Sequence, residues 1–282
     1  MRAVAFLGPG ASHLSVEPFR KSTVDLQIAT SENLGTSDAA LIFGGDGTVH
    51  RFLPEIYAKK VPVLVVPKGT GNDFAHALGI HSERIALRAW NYFCAGARNV
   101  REIDLGLVQK DTQEIPFCCV VGAGMDAEAN ARANRLPSWL RSSAGYLFAA
   151  VQALFAFPRV EIQVRTETRT EKRRALLIAV GNAHRYGGGI KIVPRARVDD
   201  GLLDVCLVGN ISKLKVFFCL PIIYFGGHTR LKEVEYFQAR NVHIESTPAL
   251  EVYADGELAC RTPVSIRLVT KGLQVIVPPE GC

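Results

Sequence analysis

Residues 39–48 read Ala-Ala-Leu-Ile-Phe-Gly-Gly-Asp-Gly-Thr: an apolar run, a glycine turn, then a residue that can open a helix. Strand, glycine turn and helix N-terminus together present bare backbone N–H groups and the positive end of a helix dipole to an anion. Gly44, Gly45 and Gly47 suit that task, because a Cβ would block the approach of a phosphate to the backbone. Thr48 can cap the helix or bond a phosphate oxygen. Asp46 is out of character there, since its charge repels a phosphate unless a cation or a substrate proton stands between. Taken alone, the pentapeptide is equally an ordinary strand–helix turn.

A second loop of the same kind follows. Pro67-Lys68-Gly69-Thr70-Gly71-Asn72-Asp73-Phe74 closes the apolar run 61–66 and opens another helical stretch. Two adjacent parallel strands would then end in Gly/Thr loops at the carboxyl edge of one sheet, where open α/β sheets bind ligands. Neither loop has the Walker or the GxGxxG spacing, which disfavours a P-loop or dinucleotide site.

Outward from these loops, residues 3–7, 24–29, 39–43 and 61–66 read as strands, rich in β-branched side chains and bounded by Gly or Pro. Residues 48–59, 72–78 and 83–94 read as helices, with Val49, Phe52, Leu53, Ile56 and Tyr57 on one face of the first. Pro54 inside that helix is expected to kink it or delay its start. Alternating strands and helices predict a parallel sheet in an α/β domain over residues 1–104. From residue 105 onward strands dominate, at 115–121, 160–166, 175–180, 202–208, 242–246, 250–254, 264–269 and 273–277. Helical stretches at 126–134 and 138–157 interrupt them. That pattern predicts an antiparallel β-sandwich as a second domain over 105–282.

Composition bounds the function. The chain has 48% hydrophobic and 21% charged residues, ordinary for a globular protein. Seven cysteines form no CxxC pair, which points to reduced thiols in the cytoplasm rather than a zinc site or disulfide scaffold. The longest later apolar run, residues 216–225, contains Pro221 and is about half a membrane span. Any membrane contact is therefore expected to be peripheral. The net charge is +6. Arg165, Arg169, Lys172, Arg173 and Arg174 cluster, either as a solvated strand pair or as an attraction for anionic headgroups. No aromatic residues interleave with them, so nucleic acid is not an expected partner.

The two loops, in this order and spacing, resemble the catalytic domain of diacylglycerol and sphingosine kinases, nearest to the small soluble bacterial lipid kinases. The resemblance runs nearly the whole chain. Gly122-Ala123-Gly124-Met125-Asp126-Ala127, Gly181-Asn182, Tyr186-Gly187-Gly188-Gly189, Asp199-Asp200-Gly201 and Asp255-Gly256-Glu257 resemble later segments of that family. It implies an α/β nucleotide domain resembling NAD kinases, a β-sandwich lipid domain to which the last strand or two need not belong, and ATP in the cleft between them. By the same likeness Gly44, Gly45, Asp46, Gly47 and Thr48 bind ATP together with Gly69, Thr70, Gly71 and Asn72, flanked by Thr30 and residues 8–12. Glu257 falls on the position of the catalytic base. Asp200 falls on the metal position, completed by main-chain oxygens of Arg197 and Leu202. Two departures stand out: His50-Arg51 replaces the usual Asn-Glu after Thr48, and Cys119 replaces a common Asn.

The implied reaction is Mg²⁺-dependent transfer of the ATP γ-phosphoryl group to a hydroxyl of a membrane lipid, diacylglycerol or similar. Such transfer needs a carboxylate to take the hydroxyl proton and a divalent ion on the phosphates. Spacing alone leaves open which of Asp46, Asp255 and Glu257 takes the proton. The greasy stretches 146–157 and 216–225 are candidates to line an acyl channel, and residues 216–224 to dock on the membrane. An NAD kinase-like enzyme and a non-catalytic nucleotide- or lipid-binding relative are the competing readings. The acceptor lipid and the oligomeric state, a homodimer included, stay open.

Overall fold

The computed structural model describes residues 1–29, 34–137 and 143–279. The chain forms two compact units, Met1–Asp104 with Thr270–Cys282, and Leu105–Val269.

In the first unit, β1 (Arg2–Leu7) leads through a short α1 (His13–Val16) to β2 (Asp25–Ile28), then to β3 (Ala39–Gly44). β1 pairs in parallel with both β2 and β3. β3 continues into α2 (Asp46–Lys59) and pairs in parallel with β4 (Val63–Pro67). Every residue of β3 is buried, which is why its sequence is an unbroken apolar run rather than an alternation. α2 runs unbroken past Pro54, which lies on its exposed side, and its buried stripe is Thr48, Val49, Leu53 and Ile56. α3 (Asp73–Ala77) and α4 (Glu83–Cys94) follow β4. The Ser82 side chain caps α4 by accepting the Ile85 N–H, and Trp90, fully buried on α4, donates its indole N–H to the Phe19 carbonyl at 2.7 Å.

The second unit is a sandwich of two antiparallel sheets. The chain enters it in β5 (Val100–Lys110), followed by β6 (Gln113–Phe117), β7 (Val120–Gly124), α5 (Met125–Arg135) and α6 (Ser143–Ala156). Next come β8 (Val160–Arg165), β9 (Thr170–Ala175), β10 (Leu177–Gly181) and β11 (Leu203–Val208). After α7 (Lys213–Tyr224) the remaining strands are β12 (Val234–Ala239), β13 (Asn241–Thr247), β14 (Glu251–Ala254), β15 (Glu257–Arg261) and β16 (Val264–Ile276). One sheet has the order β12-β11-β10-β7-β14-β15; in the other β16 pairs with β13, β13 with β8 and β8 with β9. Between them lies one apolar core, with Val121, Ile178, Val205 and Val252 from the first and Ile162, Val242, Ile244 and Ile266 from the second. The far end of β16 returns to the first unit, where Val275 pairs with Val63 of β4.

Three differences from the sequence expectation have local causes. The stretch 115–121 is two strands, because the Cys118 and Cys119 N–H groups bond to a side chain instead of a neighbouring strand. The stretches 264–269 and 273–277 are one strand with an irregularity at Lys271, whose φ is +54°. β9 escapes periodicity because it is polar, and β15 because Leu258, Ala259 and Cys260 run together without alternation. Residues 138–142 of the expected helix at 138–157, and Thr30, lie outside the described residues.

Candidate active site

In the first unit three loops meet at the carboxyl edge of the parallel strands. The Gly8 N–H donates to the Phe43 carbonyl at 2.8 Å and the Lys68 N–H donates to the Gly44 carbonyl at 3.1 Å, stitching the turns after β1, β3 and β4 together. The closeness explains the glycines. A Cβ on Gly44 would lie 2.4 Å from Thr48, and one on Gly69 would lie 2.6 Å from the Gly45 Cα. Gly45, Asp46, Gly47 and Thr48 form the N-cap and first turn of α2, whose outermost N–H groups have no partner within the helix. Such a cradle of backbone N–H groups at a helix N-terminus suits an anion.

Two side chains hold the cradle open. Asn72 sits in the left-handed region at φ +55°, which Asn tolerates, and its amide grips Gly69 from both sides. Its Nδ2 donates to the Gly69 carbonyl at 2.7 Å, while its Oδ1 accepts the Gly69 N–H at 2.9 Å. The Asp46 carboxylate accepts the Asp73 and Phe74 N–H groups at 3.1 and 3.0 Å. It caps α3 from a distance in sequence, which accounts for an acid inside an anion cradle without a ligand. Lys68 Nζ pairs with Glu83 at 2.5 Å. Arg51 is exposed, with its guanidinium 5.3 Å from the Phe52 ring centroid.

The second unit holds the other candidate carboxylates. Asp255 and Gly256, both at positive φ, form the tight turn between β14 and β15. That turn separates the two acids. The Asp255 carboxylate accepts the N–H groups of Cys118, Cys119 and Val120 at 2.7, 2.8 and 3.1 Å. Asn182, fully buried, donates to the Cys118 carbonyl from the other side. Glu257 begins β15 exposed to solvent and forms no ion pair among the described residues. Sequence reasoning found these residues but not the division of labour, which depends on where each carboxylate points.

Asp200 lies in the Asp-Gly turn before β11 and accepts the Leu202 N–H at 3.1 Å, while Asp199 pairs with Arg197 at 3.5 Å. No group of three His, Cys, Asp or Glu side chains among the described residues could hold a metal. One carboxylate with main-chain carbonyls of Arg197 and Leu202 is nevertheless a hard oxygen set that suits Mg²⁺ or Ca²⁺. Behind the turn, Asp204 is fully buried and its Oδ1 has no hydrogen-bond partner among the described residues. Burial raises its pKa, opposed by hydrogen bonds from Tyr236 and Gln238. Sequence reasoning did not single out Asp204.

The same unit encloses an apolar cavity of about 70 Å³. Ala150 and Leu154 of α6 and Val216, Leu220 and Ile223 of α7 line it, from the two stretches expected to be acyl-lining. Its polar lining is Asp126, Tyr186 and His228, and the Tyr186 hydroxyl donates to Asp126. Gly122 is required here, because a Cβ would collide with the Asp126 carboxylate.

Residues 6–108 match the diacylglycerol kinase catalytic domain, and residues 119–277 match the YegS C-terminal NAD kinase beta sandwich-like domain. A diacylglycerol kinase of Mycobacterium tuberculosis is 34% identical over 87% of this chain and 78% of its own length. The chain belongs to the diacylglycerol kinase-like family of lipid kinases. Among solved structures, a diacylglycerol kinase from Bacillus anthracis superposes with a TM-score of 0.73 at 20% identity, covering 100% of this chain and 98% of that one. An NAD kinase from Archaeoglobus fulgidus, solved in complex with ATP, superposes at 0.59 and 13% identity over 100% of this chain and 94% of its own. The latter two likenesses concern the fold: the α/β unit and sandwich are common to lipid kinases of this family and NAD kinases. No helix among the described residues is long and apolar enough to cross a membrane.

Proposed function

We propose that the protein transfers the γ-phosphoryl group of ATP to a hydroxyl of a membrane lipid of the diacylglycerol class. The observation that carries this reading is the triple-loop cradle at the carboxyl edge of β1, β3 and β4, in a chain of lipid-kinase family. In this reading the α2 N-terminus and the backbone of Gly69, Thr70 and Gly71 hold the ATP phosphates, and Asn72 keeps that loop in shape. Glu257, exposed and without an ion pair among the described residues, takes the proton of the acceptor hydroxyl. Asp255 fixes the turn from which Glu257 projects, and Asp46 fixes the second loop against the first. A bound Mg²⁺ would supply positive charge that neutralises the phosphates during transfer. The Asp200 turn is proposed as a separate divalent-cation site that rigidifies the approach to β11.

The apolar cavity between α5–α7 and the sandwich favours a lipid over a dinucleotide acceptor, since its lining is almost wholly hydrocarbon. The test is incubation with γ-labelled ATP, Mg²⁺ and detergent-dispersed diacylglycerol, sphingoid base or a total lipid extract, with NAD as a further acceptor. Label in a lipid, absent with Glu257→Gln, is the expected result. Label in NAD alone, or in nothing above the Glu257→Gln control, would refute the proposal.

A further inference from the structure

Beyond Lys215, α7 is apolar around its whole circumference, and only part of that surface is covered. Val216, Leu220 and Ile223 face the cavity. The opposite stripe, Leu214, Phe217, Phe218, Ile222 and the C-cap Phe225, follows helical spacing and is exposed, Phe218 to 75% and Phe225 to 73%. Phe155 of α6, itself exposed, extends the stripe by packing on Phe217 with ring centroids 6.1 Å apart. Scattered exposed apolar residues are ordinary, whereas a contiguous aromatic stripe marks a surface that something covers.

The charges beside it choose the occupant. Most of the basic cluster conspicuous in the sequence is neutralised within the second unit: Arg165 pairs with Glu245, Arg169 and Arg173 with Glu171 and Glu235, and Lys172 with Glu161, which leaves Arg174 exposed. Arg195 and Arg230 are exposed and form no ion pair among the described residues. Both line an open depression of about 740 Å³ together with Ile222 and Phe225. Residues 209–232, which carry α7, include Lys213, Lys215, Arg230 and Lys232 and no carboxylate, and only Lys215 is paired, with Glu233 just beyond them, among the described residues. Exposed aromatics edged by two exposed guanidinium groups, that of Arg195 resting on the Tyr236 ring, match an interface of acyl chains below anionic headgroups.

We propose that the outward face of α7, with Arg195 and Arg230 beside it, docks the protein on an anionic lipid bilayer. The inference deepens the lipid-kinase reading and rests on it for its purpose. α7 then stands as a single-helix wall, with the bilayer on one face and the acyl-lining cavity on the other. A lipid chain leaving the bilayer would reach the cavity by displacing that wall, without crossing water.

Vesicle flotation tests this with phosphatidylcholine alone and with phosphatidylcholine mixed with phosphatidylglycerol. The wild-type protein is expected to float with the mixed vesicles, less so at high salt, and weakly with phosphatidylcholine alone. Phe218→Ser with Phe225→Ser should lower the bound fraction at least tenfold, and Arg195→Glu with Arg230→Glu should abolish the preference for anionic vesicles. Flotation of either variant equal to wild type overturns the proposal. So does light scattering that shows a wild-type dimer and a monomeric Phe218→Ser/Phe225→Ser variant, which would assign the face to a second copy. Turnover of a short-chain, monomeric diacylglycerol reads the kinase chemistry by itself and should be unchanged in both variants. Flotation without any such turnover would sink the kinase reading and leave the docking surface standing.

Discussion

The Asp46 carboxylate caps α3 by accepting the Phe74 backbone N–H at 3.0 Å. An acid placed in the middle of a phosphate cradle thus has a structural task that needs no ligand. It binds the loop after β3 to the loop after β4, so the two halves of the cradle keep one spacing.

Replacing Asp46 with Ala should leave the Asp73 and Phe74 N–H groups without this acceptor. The expected cost is roughly 1–2 kcal/mol, as for loss of a helix cap. Thermal unfolding checks this, and calorimetric ATP titration should show weaker binding as the loops drift apart. Unchanged melting would mean that the cap is not what holds the loops together.

Asp255 and Glu257, two residues apart, should respond in opposite ways. Asp255→Ala strips three N–H groups of a charged acceptor and should cost about 2–4 kcal/mol of stability. Glu257→Gln, at an exposed position, should leave the melting temperature within about a degree and cut kcat by 10²-fold or more, roughly the worth of a general base. Measured kcat and melting curves for the pair separate the two roles.

Gly69→Ala should place a Cβ against the Gly45 backbone, 2.6 Å from its Cα. Neither backbone can yield without parting the loops. Weaker ATP binding is expected, with a smaller loss of thermal stability, by calorimetry and melting. ATP affinity equal to wild type would show that phosphates do not lie at this contact.

His228 should make the second unit sensitive to acid. It is buried, its Nε2 bonds the Ile192 carbonyl, and its Nδ1 has no partner among the described residues. Burial depresses its pKa below the ordinary 6.5. The unfolded chain therefore binds this proton more readily than the folded one. Stability from the neutral imidazole is present above about pH 6.5 and is lost as pH falls toward and through the depressed value. Melting scans of wild type and His228→Gln between neutral pH and about pH 5 check this. The wild type should lose more over that interval, and equal slopes would clear His228 of the effect.

Much of the fold was legible because burial writes itself into local pattern. β3 and β4 are covered on both faces and so read as apolar runs. β8 alternates because only one face meets the core. β9 shows no hydrophobic period for the opposite reason and was legible only as one reading of a basic cluster: its Thr-Glu-Lys-Arg-Arg sequence is held by strand pairing and by ion pairs to Glu161 and Glu235. The glycine turns were legible as turns. Their crowding against Thr48 and against one another was not, since it depends on three loops converging.

The sequence by itself determined the parallel strands, the two glycine loops, the Asp-Gly turns and the residue types available for chemistry, all consequences of near neighbours along the chain. Only the tertiary structure decided how the acids are divided. Asp255 is spent on backbone groups 135 to 137 residues away, and Asp46 on groups 27 and 28 residues away, while Glu257 is left facing solvent. The reason is physical. A carboxylate goes to whichever N–H groups folding brings within hydrogen-bond reach, and those partners do not exist until distant segments meet.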